Sequence, residues 1–182
     1  MKTFQEFISE GKDEAKAIRE ILKKELGLSA KDVSVRTKKG GYSKAVRVNI
    51  KTMKALALKS KIEEVGSKFR DYDRDEATGE ILAGGNTFIF VEIDWDFEKS
   101  LKEKIQKDFV KEFEKTDSNE IVLYKKFEIR KYQEEDDTYF VYIKGKHASK
   151  EVKSAKNYDF IGSAILSLIS STNDDSLYEL IK

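Results

Sequence analysis

Asp71, Asp73 and Asp75 stand at alternate positions, the spacing with which a calcium loop presents its first carboxylates to a hard cation. The rest of such a loop is missing. Glu76 stands where the sharp turn needs glycine, and Leu82 where a bidentate glutamate would close the coordination shell. The segment therefore reads as a solvated acidic loop, and neither a metal nor another cofactor is expected. A second group is basic. Arg36, Lys38 and Arg47 fall on the outward face of a hairpin, and Lys39 and Lys44 flank its Gly40-Gly41 reversal, with Tyr42 at the tip. Two-stranded ribbons of this kind track phosphates or enter a major groove, which makes these six residues the candidate binding face and nucleic acid a candidate partner. Tyr42 is the only aromatic interleaved with the cations, so base stacking has little support. The plainer reading is a solvated sheet face, or a basic surface neutralised by acids elsewhere in the chain.

His147 is the only histidine, there is no cysteine, and no serine stands in a nucleophile-elbow sequence, so the sequence offers no pattern from which to assemble a catalytic triad or a zinc site. It reads as a surface residue. No phosphate-binding P-loop, dinucleotide-binding glycine run or zinc-protease signature occurs. The 34 acidic residues are too many for any carboxylate pair to stand out. No catalytic residue is assigned, and the chain is not expected to be an enzyme.

At 182 residues, with 39% hydrophobic and 38% charged, the chain can bury a core and is too apolar to be disordered. Its longest apolar stretch, 160–169, is interrupted by Gly162, Ser163 and Ser167 and falls short of the roughly 18 residues a membrane span takes, so no membrane partner is expected. Without cysteine or proline the fold must hold by packing, with no disulfide and no turn set by a fixed φ. The net charge of +1 hides an uneven distribution. Residues 31–70 carry twelve Lys or Arg against Asp32, Glu63 and Glu64, a net of +9, whereas 71–98 carry Arg74 against nine acids, a net of −8. Such a dipole can dock a charged partner, speed encounter with one, or close on itself.

The elements that must position these residues follow from periodicity. Ala17, Ile18, Ile21, Leu22 and Leu26 mark a helix over 13–26, stopped by Gly27. Alternation predicts a hairpin over 32–51, with Val33, Val35, Val46, Val48 and Ile50 inward. A second amphipathic helix is expected over 53–69, a polar connection over 71–80, and, after Gly84-Gly85, a strand over 87–95 buried along much of its length. Leu101, Ile105, Phe109 and Phe113 mark a long helix over 97–115. Two strands over 120–131 and 138–146 form a second hairpin through the acidic turn 134–137, and a C-terminal helix begins near 158. The fold class is α+β, with small mixed or antiparallel sheets packed with amphipathic helices. Residues 11–96 form one α+β domain, and 97–182 either form a second subdomain or complete the first.

The first eleven residues are a separate matter. Phe4, Phe7 and Ile8 would share one face of a short helix, as in a docking peptide, and these residues lack the longer apolar stretch and small-residue cleavage site of a secretory signal, so export is not expected. Met1 to Gly11 closely resembles the capsid-targeting leader of T4-like phage internal head proteins. The resemblance implies prohead protease cleavage after a hydrophobic-x-Glu triplet and before a small residue, which Ile8, Ser9, Glu10 and Gly11 fit. Residues 1–10 would then be a removable leader, with the phage prohead scaffold and protease as partners. The same residues also read as an ordinary amphipathic start that packs on the domain. Residues 13–95, with Gly40-Gly41, Phe69-Arg70-Asp71 and Gly84-Gly85 as landmarks, are similar to a small α+β module of large polyvalent proteins of phages and conjugative elements.

Together these resemblances imply a protein packaged inside the virion capsid, delivered with the DNA to the host cytoplasm, and binding a host protein to counter host defence. The alternatives are a DNA-associated head protein using the basic hairpin, and an injected enzyme that modifies a host protein.

Overall fold

The computed structural model describes residues 14–40, 43–74, 81–115, 121–131, 138–145, 149–152, 160–172 and 174–182. It is α+β, and it divides into two compact units, the first ending at Asp94 and the second beginning at Trp95.

In the first unit, helix α1 (Glu14–Leu26) buries Ala15, Ala17, Ile18 and Leu22. Gly27 ends it with φ +62°, and the Leu28 amide reaches back to the Leu22 carbonyl at 3.1 Å, which satisfies a carbonyl at the helix end. Strands β1 (Val33–Gly40) and β2 (Ser43–Ile50) pair antiparallel in unbroken register from Val33↔Ile50 to Gly40↔Ser43. Two short helices follow, α2 (Met53–Leu56) and α3 (Lys59–Ser67), then β3 (Asp71–Arg74) and the long β4 (Ile81–Ile93). The sheet order is β1-β2-β4-β3, with β2 and β4 parallel. Helix α1 lies on β1 and α3 on β4, so one face of the sheet is covered and buries Val33, Val35, Val46, Val48, Ile50 and Ile89. Each such side chain contributes about 1.5–3 kcal/mol relative to exposure.

Three expectations need correction here. The helix expected over 53–69 is broken at Ala57 and Leu58, where the Leu58 backbone leaves the helical region at φ −121° and ψ 18°; Leu56 is buried and Leu58 is not. The connection expected over 71–80 begins as strand β3, and β4 starts at Ile81, so Gly84-Gly85 lie inside a strand. Between the pairs Asp71↔Thr87 and Asp73↔Ala83 the partner strand spends extra residues, and these glycines occupy that bulge. The strand expected over 87–95 ends at Ile93, and of its residues 87–93 only Thr87 and Ile89 are buried, because helices cover one face alone.

The second unit opens with helix α4 (Trp95–Glu112), which buries Leu101, Ile105 and Phe109; Trp95 is 76% exposed. The helix expected over 97–115 therefore stops early, and Glu114–Lys115 form strand β5. β6 (Ile121–Tyr124), β7 (Phe127–Lys131), β8 (Tyr139–Ile143) and β9 (Ser149–Val152) complete an antiparallel meander in the order β5-β6-β7-β8-β9. The single strand expected over 120–131 is thus a hairpin, turning at Lys125-Lys126 with Lys125 at φ +53°. Glycine or asparagine usually supplies that conformation, so the turn carries no sequence signal. The Lys125 ammonium secures it by donating to the Leu180 carbonyl at 2.9 Å.

The apolar helix α5 (Ile161–Ser171) packs on α4, β8 and β9, and a 3-10 helix (Asp175–Ile181) closes the unit. α5 has no side-chain cap of its own; the Gln106 amide oxygen accepts from the Gly162 N–H at 2.9 Å instead. Among the described residues no helix is long and apolar enough to cross a membrane.

Candidate functional site

The uncovered face of the first sheet collects most of the chemistry. β2 pairs on one side with β1 and on the other with β4, so residues far apart in sequence line up in rows across three strands. Arg36, Arg47 and Phe90 form one row, Lys38, Ala45 and Phe88 a second, and Ser34, Asn49 and Glu92 a third. Arg36 and Lys38 are exposed, and Phe90 is 41% exposed. The rings of Phe88 and Phe90 stack at 6.5 Å between centroids. The Arg47 guanidinium lies 5.5 Å from the Phe90 centroid and pairs with Glu92 at 2.9 Å, both side chains well exposed. An ion pair of that exposure contributes about 0–1 kcal/mol. Within the third row, the Asn49 side-chain oxygen is buried without a hydrogen-bond partner.

The six residues expected as one binding face do not form one. Arg36, Lys38 and Arg47 share the open face, as alternation requires. Lys44 is on the helix-covered side, where its ammonium holds both carboxylate oxygens of Glu14 at 2.6 and 2.7 Å. Lys39 is its register partner. Tyr42 lies outside the described residues, as do Phe4, Phe7, Ile8, Glu10, Gly11, Asp75 and His147. Asp71 and Asp73 sit on the extended strand β3 rather than in a tight turn. Among the described residues no group of three or more His, Asp or Glu converges to hold a metal. The charge dipole is partly closed in cis, since Arg47 from the basic segment pairs with Glu92 from the acidic one.

Phe88, Phe90, Asn49 and Glu92 were not singled out as site residues. Alternation along β4 puts Phe88, Phe90 and Glu92 on one side, but nothing local says that this side continues the face of Arg36 and Arg47. The parallel pairing of β2 with β4 makes that connection.

The open face of the second sheet offers a contrast. Arg130 pairs with Glu128 at 2.8 Å and lies 5.3 Å from the Tyr142 centroid, and Phe140 sits 6.2 Å from Tyr142. The motif of arginine, glutamate and two aromatics recurs, but among the described strand residues of this face no further cations stand beside it as Arg36 and Lys38 do in the first sheet.

Two titratable groups are displaced, both by structural causes. The backbone N–H of Ser29, then its hydroxyl, hold the Asp32 carboxyl below the usual carboxylate value; burial opposes this, and Thr52 and Lys54 add to it. Asp32 thereby ties the turn after α1 to the N-cap of α2, accepting from Ser29 N and Oγ at 2.9 and 2.8 Å and from Thr52 Oγ1 at 3.0 Å. Burial pushes the Tyr124 phenol up to about 12, and the negative charges of Asp108 and Glu112 push the same way. Its hydroxyl has no hydrogen-bond partner, and the ring packs among Phe109 and Phe127. Neither group is arranged as a catalytic acid or base; both belong to the scaffold. Comparison with protein-family models, with curated proteins and with solved structures finds no match to this chain.

Proposed function

We propose that the chain is an internal head protein of a tailed phage, packaged in the capsid, cut between Glu10 and Gly11, and delivered with the DNA to act in the host cytoplasm as a non-enzymatic binding protein. The observation that carries this reading is the leader: Phe4, Phe7 and Ile8 as a docking face, followed by the cleavage triplet Ile8, Ser9 and Glu10 before Gly11. A binding role draws support from architecture. Each sheet is packed by helices on one face, and Asp32, Lys44 and the Arg47–Glu92 pair are committed to capping and pairing within the fold, while Arg36 and Lys38 are exposed on the other face of the first sheet. The partner we favour is a host protein of a defence system, in keeping with the resemblance of the leader.

N-terminal sequencing of the protein from purified virions tests the packaging half. A chain beginning at Gly11 is expected; an intact Met1, or absence from virions, overturns it. Affinity capture with residues 11–182 from host lysate tests the other half, where recovery of no specific protein removes the host-target reading.

A further inference from the structure

We infer that the open face of the first sheet is a platform for single-stranded nucleic acid, a ligand beyond the host-protein reading and independent of it. The inference rests on the rows across the sheet. Phe90 and Phe88 stand two residues apart on β4, and directly across from them on β1 stand Arg36 and Lys38, two strand spacings away. At about 4.8 Å per spacing this is roughly 10 Å, the scale of one nucleotide from base to phosphate. Each row thus offers a ring for a base and a cation for its phosphate. Ala45, the small residue between Phe88 and Lys38, leaves the second row uncrowded, and Arg47 in the first row adds a planar guanidinium on which a base can also stack.

The geometry selects single strands over duplexes. The ring centroids are 6.5 Å apart and their planes within 21°. That separation is nearly twice the about 3.4 Å rise per nucleotide of a duplex strand. Two neighbouring bases reach both rings only when pulled apart from each other, which a paired duplex does not allow and a single strand does.

Charge agrees. Among the residues of this face whose side chains are described, Arg36, Lys38 and Arg47 stand against Glu92, whereas on the second sheet Arg130 pairs with Glu128. The exposed Arg47–Glu92 pair is of the weak kind, so a phosphate can draw the guanidinium off the Phe90 ring as a base takes its place. Tyr42 alone made base stacking a poor prospect; Phe88 and Phe90, brought in by the parallel pairing, supply the missing aromatics.

The test is fluorescence anisotropy with the full chain and labelled oligothymidylate, oligouridylate and a mixed-sequence duplex. Lengths of about 12 nucleotides lie inside the roughly 4–16 nucleotide range of stacking-type sites. Binding of one or both single strands, tighter than the duplex at about 50 mM salt, is expected, and the two single strands separate DNA from RNA as the source. Phe90→Ala should weaken binding by roughly 10-fold and Phe90→Tyr should keep it. Arg36→Ala and Lys38→Ala should each reduce the slope of log affinity against log salt by about 0.7. Hydrogen exchange on each variant establishes that the sheet is intact. Absence of single-strand binding, preference for the duplex, or equal affinity of Phe90→Ala and the parent overturns the proposal. None of these outcomes bears on packaging, which the N-terminus of the virion protein decides separately.

Discussion

Both units bring a helix close to its neighbour at a glycine, but what stands opposite differs. At Gly66 in α3 an added β-carbon would lie 2.9 Å from a methyl group of Ile89 on the sheet. At Gly162 in α5 it would run into the carbonyl oxygen of Lys102 in α4 and come within 3.0 Å of the Gln106 amide nitrogen. A methyl group can give way by a small side-chain movement. A helix carbonyl cannot, because it is held in its own ladder. The first unit is therefore packed by side chains against a sheet, and the second is keyed by backbone against backbone.

The largest expected effect breaks that key. Gly162→Ala should destabilise the second unit by about 3 kcal/mol, at the upper end of ordinary overpacking costs. In residue-resolved hydrogen exchange, protection should fall in α4 and α5 while α1 and β2 keep theirs. Gly66→Ala should stay within about 1 kcal/mol of the parent, since strain at Ile89 is offset by the better helix propensity of alanine. Equal losses at the two sites would remove the distinction.

A satisfied carboxylate and an unsatisfied phenol offer a second comparison, between two residues rather than two whole units, since the first unit also buries the unpartnered Asn49 side-chain oxygen. In the first, the Asp32 carboxylate has its partners, three hydrogen bonds that join two helix ends. Asp32→Ala should cost about 1.5 kcal/mol in urea denaturation, a charged hydrogen-bond loss discounted for partial exposure. Its pH signature has a definite sign. The folded carboxyl titrates below its usual 3.8, so the stabilisation is complete above that value and is lost as pH falls through the lower folded one. Asp32→Asn should flatten that acid limb. An unchanged limb would mean that the clamp carries no net energy.

How much of this was legible depends on whether a signal is local. Gly27 as a helix stop, the alternation from Val33 to Ile50 and the four-residue steps from Leu101 to Phe109 are local, and the elements they predict form. The Lys125-Lys126 turn was invisible because lysine is not a turn-former; it is held by a tertiary contact to Leu180. Gly84-Gly85 misled for the opposite reason: turn-like residues were used for a bulge inside a strand. The candidate site was half legible. Arg36, Lys38 and Arg47 were placed by alternation alone. Phe88 and Phe90 needed a pairing that spans two helices and a strand, and no short window of sequence encodes it.

Tyr124 gives the smallest effect and tests the polar contrast from the other unit. Its hydroxyl is buried with no partner while its ring packs edge-on to Phe109 at 5.5 Å and beside Phe127 at 6.4 Å. Tyr124→Phe keeps the ring and removes the unsatisfied group, so it should stabilise the second unit by about 1 kcal/mol at neutral pH. Alkaline titration adds an independent reading. Below pH 10 the phenol is protonated in both folded and unfolded chains; above it the unfolded chain ionises first, while the folded one holds its proton to about 12. Stability therefore falls as pH climbs through that window, and the variant should fall less steeply. Destabilisation at neutral pH would mean that the hydroxyl is satisfied in solution, which would leave the glycine contacts as the difference between the units.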